Sequence, residues 1–428
     1  MHDFKLKLDE ISKIEGSASL EIEVKNDKVE DVKFEITEYK RFYAQAMRGK
    51  PVVSIPQLLS RICGTCSNAH LLASIKSIEN ALGITPSPQT ITLRHLTTYG
   101  LMIRDHILHL GIFVLPDFYQ KNSVFDFDEN DPLQRKMLED TLALKAAGNN
   151  LSILVAGRSV HAPYPTIGGF LQTPKKEEVI KVIDNLEKVR LAALGFIEIF
   201  KNCSWKLEIA EKYFALVGEK FNWLEGKILG SGGEVIEGFD FANYLDHVVV
   251  PYSQASGWKY KGEFYIVGAL ARLNLEKEKL NPRTKKDATA ALALFPSKNI
   301  YHNNLAQAIE VLHCIDEALD ILKSTNFSEE KPQAVNFKES IGIGVVEAPR
   351  GTLYHKIEIA QDGKIKFGQI IIPTGQNQVS IEKDIGILVG QNLEMDQHQL
   401  EHEIEKLIRA YDPCMSCASH FLKCNWVK

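Results

Sequence analysis

Two C-x-x-C pairs constrain this chain more than any other feature: Cys63-Gly-Thr-Cys66 lies near one end and Cys414-Met-Ser-Cys417 near the other. The spacing lets both thiolates of a pair grip one ion, so each pair supplies half of a four-ligand site. Completing that site requires a fold that brings together two ends of a 428-residue chain. Seven cysteines in such a length is sparse usage and points to metal or redox chemistry, not a disulfide scaffold. Four thiolates suit zinc, an iron-sulfur cluster or a soft transition-metal centre, and ligand type alone does not choose among them. Structural zinc is the plainest alternative. Zinc staples, however, usually join nearby cysteines in small domains short of core, whereas 45% of this chain is hydrophobic.

The segments between the pairs read as helices. Leu305, Ala308, Ile309, Leu312, Ile315, Leu319 and Leu322 keep one apolar stripe over about five turns. Comparable helices are expected over 68–82, 90–110, 132–155, 176–201 and 397–410, separated by Pro- and Gly-rich stretches. Period-two alternation marks strand pairs near both ends. One runs from Leu20, Ile22 and Val24 to Val29, Val32, Phe34 and Ile36, the other from Leu353, Ile357 and Ile359 through Asp362-Gly363 to Ile365, Phe367 and Ile370. The expected fold is α+β and mainly α, a central bundle of long helices with small antiparallel β elements from the two terminal regions. Cutting the chain into domains would separate the ligands of one site, so one folded unit is expected.

A net charge of -5 with dispersed basic residues gives no footprint for nucleic acid. The N-terminal residues lack the apolar stretch of a signal peptide, and no window approaches the roughly eighteen apolar residues of a membrane helix. A cytoplasmic chain without direct membrane insertion is expected.

The contexts of the cysteine pairs are more specific. Arg61-Ile-Cys-Gly-Thr-Cys-Ser-Asn-Ala-His70 and Tyr411-Asp-Pro-Cys-Met-Ser-Cys-Ala-Ser-His420 resemble the two signature motifs of nickel-iron hydrogenase large subunits. Lys13-Ile-Glu-Gly16, Asp105-His-Ile-Leu-His109, Leu115-Pro-Asp-Phe118, Glu347-Ala-Pro-Arg-Gly-Thr-Leu353 and Pro373-Thr-Gly-Gln-Asn377 follow in the family's order, so the resemblance covers essentially the whole chain. Asn303-Asn-Leu-Ala-Gln-Ala308 and Trp258-Lys-Tyr-Lys-Gly262 are similar to the soluble, nicotinamide-linked branch called sulfhydrogenases.

The resemblance implies reversible heterolytic cleavage of H2 by a cytoplasmic enzyme. Cys63 and Cys414 would bind nickel terminally, and Cys66 and Cys417 would bridge nickel to an iron carrying CO and cyanide. Cys414 would be the first base and Glu15 the gate passing its proton outward. On residue type alone, a Glu in a loop reads as a solvated surface group. Arg350 would lie over the metals, oriented by Asp105 and Asp412, and would hydrogen-bond a cyanide, with Thr374 serving a second. Asp412 read without the family is a turn residue before Pro413. Pro373, Ala348 and Pro349 would line the diatomic ligands, and His70 would donate to a bridging sulfur. His106 and His109 are expected to pack in the core.

Two positions depart from the pattern. Ser17 replaces a common histidine, and Ala44 stands where relatives carry a glutamate for a magnesium ion. His420 matches that ion's last ligand, but an imidazole without the carboxylate makes a weak magnesium site. The resemblance further implies a domain spanning 1–420 and a maturation extension over 421–428, removed by a dedicated protease.

Cys203, Cys314 and Cys424 are too scattered to bind an iron-sulfur cluster unaided. With no dinucleotide-binding glycine motif after a strand, partners are required: an iron-sulfur small subunit, then flavin/NAD(P)-binding and further iron-sulfur subunits. Alternatives are a deazaflavin or polysulfide acceptor, a metal-free respiratory-complex-like subunit, or a zinc-stapled scaffold.

Overall fold

The computed structural model describes residues 2–39 and 41–419. Five long helices form its centre: α1 (Ser67–Leu82), α2 (Pro88–Leu108), α3 (Pro132–Ala156), α4 (Lys176–Lys201) and α5 (His302–Ser324). Helix α2 starts with Pro88 after a Ser87 cap that accepts from the Thr90 amide, and α3 starts with Pro132 after an Asp131 cap. Both starts follow the preference for proline in a first turn, where no N–H partner is needed. Gly83 and Gly157, both at positive φ, end α1 and α3. The helices expected from apolar periodicity are therefore present, with ends moved by a few residues.

Three antiparallel strands, β1 (Phe4–Leu8), β2 (Ala18–Lys25) and β3 (Lys28–Ile36), form the N-terminal sheet. Leu20, Ile22 and Val24 face inward, and Asn26 and Asp27 turn at positive φ between the last two strands. A second sheet joins β4 (Ser340–Ala348), β5 (Gly351–Ile359) and β6 (Ile365–Ile371). Two helices complete the C-terminal part, α6 (Pro373–Gln391) and α7 (Gln397–Ala410). One apolar cluster takes in residues from Leu6 to Ala418, so both ends of the described chain share a core.

Some elements were not anticipated. Strand β4 lacks clean alternation because Gly342 and Gly344 lie against helix α1; a Cβ on Gly344 would fall 2.2 Å from the Ala73 carbonyl oxygen. Backbone contact takes the place of side-chain packing there, which erases the sequence signal. Between 212 and 266 short strands form a four-stranded sheet and a separate pair. Helix α2 also ends early, because residues His109–Val114 form a π-helical turn. Among the described residues, no helix is long and apolar enough to cross a membrane.

Candidate metal centre

The two cysteine pairs meet. Cys63 lies in an extended residue after a short 3-10 turn, and Cys66 is the residue immediately before α1. Cys414 precedes the short helical turn Met415–Ala418, which carries Cys417. Cys63 Sγ is 3.2 Å from Cys414 Sγ, and Cys66 Sγ is 3.0 Å from Cys417 Sγ. All four ligand atoms fall within 4.8 Å of one another and all four residues are buried. The sulfurs are too far apart to be bonded. Four buried, convergent sulfurs without disulfides are the donor set a soft metal requires. Hydrogen bonds from Cys414, Cys417 and Cys66 draw the Cys63 thiol well below its ordinary range, whereas burial pushes Cys414 well above it. A cation bound here would displace the remaining thiol protons.

The N-terminal loop is tied to the ligand segment. Met415 N donates to the Glu15 carbonyl at 2.9 Å, and Ser416 N donates to Glu15 Oε2 at 3.1 Å. Cys414 Sγ lies 2.9 Å from the same Oε2. Burial, and then the charge of Cys63, push the Glu15 carboxyl above its usual pKa. Gly16 holds φ +84, and a Cβ there would fall 2.7 Å from Met415 Cβ. Gly16→Ala is therefore expected to displace Glu15 from Cys414; a variant with unchanged nickel content and activity would refute the expectation.

Arg350 is 5% exposed and spans two carboxylates. Its Nη1 is 3.0 Å from Asp105 Oδ1, and its Nη2 is 2.9 Å from Asp412 Oδ1. Burial opposes the charge, but Asp105 and Asp412 prevail and hold the guanidinium firmly protonated. Its Nε is buried with no hydrogen-bond partner among the described residues. An orphaned, charged donor is costly unless an acceptor meets it. Asp412 also takes the turn role that its residue type suggested, with φ +49 just beyond the end of α7.

Thr374, in the first turn of α6, accepts from Cys414 N at 3.0 Å through Oγ1, leaving its hydroxyl proton for another acceptor. Pro373, Ala348 and Pro349 are buried beside Thr374 and Arg350 in sequence. His70 Nε2 is 3.6 Å from Cys417 Sγ, and its Nδ1 is 3.2 Å from His355. His106 and His109 are buried, as expected of core residues, but both hydrogen-bond to polar partners. His420 and the 421–428 extension lie outside the described residues.

Arg41, three residues before Ala44, ties the N-terminal region to the C-terminal segment. Arg41 Nη2 donates to the Ser416 carbonyl at 2.7 Å, and Arg41 N donates to the Ser419 carbonyl at 2.9 Å. A guanidinium thus lies beside the C-terminal segment, an unfavourable neighbour for a hard dication, and Ala44 offers no carboxylate.

Sequence reasoning missed the buried network behind Arg350. Arg272 is fully buried in the helix Ala269–Glu276. It bonds Glu310 through Nε and Nη2 at 2.7 and 2.8 Å and Glu347 through Nη1 at 2.7 Å. It also donates to the carbonyls of Ala348 and Pro349, the two residues before Arg350. Only Glu347, inside the Glu-Ala-Pro-Arg run, gave a signal for this network. Arg272→Met leaves two buried carboxylates without their cation and is expected to cost about 3–5 kcal/mol. The measurement is the urea midpoint of the purified protein, and an unchanged midpoint would count against the account.

A bundle that closes two remote C-x-x-C pairs under a buried arginine defines a class of thiolate-bound metalloenzymes. Sequence comparison narrows it. The family model described as nickel-dependent hydrogenase matches residues 42–150 and 237–420. Sulfhydrogenase 2 subunit alpha of Pyrococcus furiosus is 31% identical over 98% of this chain and 99% of its own length. The NAD-reducing hydrogenase HoxS subunit beta of Cupriavidus necator is 26% identical over 98% of this chain and 95% of its own. A solved NAD+-reducing [NiFe]-hydrogenase in the H2-reduced state shares the fold at TM-score 0.88 and 23% identity, covering 97% of this chain and 99% of that one. The chain belongs to the nickel-dependent hydrogenase family and is an oxidoreductase.

Proposed function

We propose that this chain is the catalytic subunit of a cytoplasmic nickel-iron hydrogenase that cleaves or forms H2 reversibly, in a single domain spanning 1–420. Cys63, Cys66, Cys414 and Cys417 would hold the metals, Cys63 and Cys414 as terminal nickel ligands and Cys66 and Cys417 as bridges. Their pairing, 63 with 414 and 66 with 417, supports that division. Nickel and an iron bearing CO and cyanide would supply the Lewis acidity that polarises H2. Arg350 Nε and the Thr374 hydroxyl would orient the cyanides, with Pro373, Ala348 and Pro349 excluding water around them. Cys414 Sγ would take the proton of heterolysis and give it to Glu15 Oε2, whose backbone lies in a half-buried loop. His70 would donate to Cys417 Sγ. Proton transfer needs donor and acceptor within hydrogen-bond reach, and the 2.9 Å separation of Cys414 Sγ and Glu15 Oε2 is the observation that carries this reading.

Electrons would leave through an iron-sulfur small subunit toward flavin/NAD(P)-binding and further iron-sulfur subunits. The names of the Pyrococcus and Cupriavidus relatives, subunits of a sulfhydrogenase and of an NAD-reducing hydrogenase, support that direction. A dedicated protease would remove residues 421–428. Metal analysis with infrared spectroscopy of the purified complex tests the centre. One nickel per catalytic chain, iron in excess of nickel because of the iron-sulfur partners, and CO and cyanide bands are expected, and zinc without nickel would overturn the proposal.

A further inference from the structure

His109 begins the π-turn that follows α2, and its two ring nitrogens each meet an oxygen. Nδ1 lies 2.6 Å from Gln307 Oε1, and Nε2 lies 2.8 Å from the carbonyl oxygen of Arg409. A carbonyl only accepts. The Gln307 amide is oriented from its other end, where Nε2 donates to Asp412 Oδ2 at 2.9 Å. Asp412 is the acceptor in that pair, as it is toward Arg350, whose Nη2 donates to its other oxygen at 2.9 Å. Turning the amide over would set two oxygens against each other, so Gln307 Oε1 must face His109 as an acceptor. A neutral imidazole has one N–H and one lone pair. Either neutral tautomer would press a lone pair onto an oxygen at 2.6 or 2.8 Å.

We infer that His109 is a buried imidazolium that fixes Gln307 and, through it, the Asp412 carboxylate beneath Arg350. This is a positioning role, exerted on Arg350 through two intermediaries.

The surroundings supply reasons for and against the charge. Arg409 lies in the last turn of α7, so its carbonyl belongs to the negative end of a helix, where a cation is favoured. Asp412 Oδ1 is 3.8 Å from His109 Nε2. Burial opposes, pulling the histidine's pKa down, and Arg350 adds to that pull. The guanidinium of Arg409 turns away onto Asp117, Asp105 is engaged by Arg350, and Phe113 presents a neutral ring edge. Hydrogen bonds decide the balance, since losing the proton would cost one of two buried bonds and leave an oxygen facing a lone pair.

The functional half of this inference rests on the proposed role of Arg350, whereas the protonation state does not. The complete, metal-loaded complex labelled with 15N-histidine is measured at about pH 8, where a free imidazole of pKa about 6.5 is neutral. His109→Gln identifies the signal. Both nitrogens of the signal that disappears are expected to carry protons, and one bare nitrogen would overturn the charge. Neutron diffraction from the unaltered complex in D2O answers the same question if the variant does not fold: deuterium is expected on both nitrogens, and on only one if the inference is wrong. His109→Gln is further expected to shift the cyanide infrared bands and to lower H2–D2O exchange roughly ten- to hundredfold, the range for groups that orient a metal's surroundings. Unmoved bands and rate would overturn the positioning role. Arg350→Lys without effect on the bands would instead overturn the reading of Arg350, leaving the imidazolium standing.

Discussion

Cys414→Ser is expected to abolish H2–D2O exchange and nickel retention together. A serine hydroxyl is a hard, weakly acidic group, so the substitution removes a soft ligand and the proposed first base in one step. The neighbouring sulfurs cannot compensate, because Cys63 Sγ, 3.2 Å away, is itself committed to the same centre. A rate loss of at least about a thousandfold is expected, equivalent to roughly 4 kcal/mol at about 1.4 kcal/mol per factor of ten. Circular dichroism and the urea midpoint of the same preparation separate this from misfolding. A folded Cys414→Ser protein that keeps its nickel and its exchange activity would remove the centre from this account.

Glu15→Gln is expected to leave the metals in place and stop the proton. The amide keeps the length of the side chain and an oxygen for Ser416 N, now 3.1 Å from Glu15 Oε2, so the loop should stay where it is. What it loses is the capacity to take a proton from Cys414 Sγ at 2.9 Å. Positioned acid–base groups contribute about 10²–10⁴ in rate, and a loss of that size in H2–D2O exchange is expected with unchanged nickel and unchanged infrared bands. Glu15→Asp should recover part of the rate, because it keeps the carboxyl while lengthening the gap by one methylene. If Glu15→Gln exchanges at the normal rate, the proton leaves by another route.

The long helices and the two hairpins were legible because their signals are local. Seven apolar residues from Leu305 to Leu322 fall on one face of α5 whatever surrounds them, and Asp362-Gly363 turns the chain between β5 and β6 with Gly363 at φ +75. Strand β4 was not legible, since its glycines answer to the backbone of α1. The π-turn at His109 was equally hidden, because its partners come from α5 and α7.

The centre divides along the same line. Residue type and spacing determined that four thiolates were available in two pairs, and the surrounding motifs named the arginine, the two aspartates and the glutamate. Tertiary structure alone decided which sulfur faces which, that Arg350 keeps an unmatched Nε, and that the Arg41 guanidinium is tied to the Ser416 carbonyl. Ligand chemistry belongs to single residues and can be read along a chain. Charge pairing depends on which groups share a desolvated space, and only the folded core creates that space.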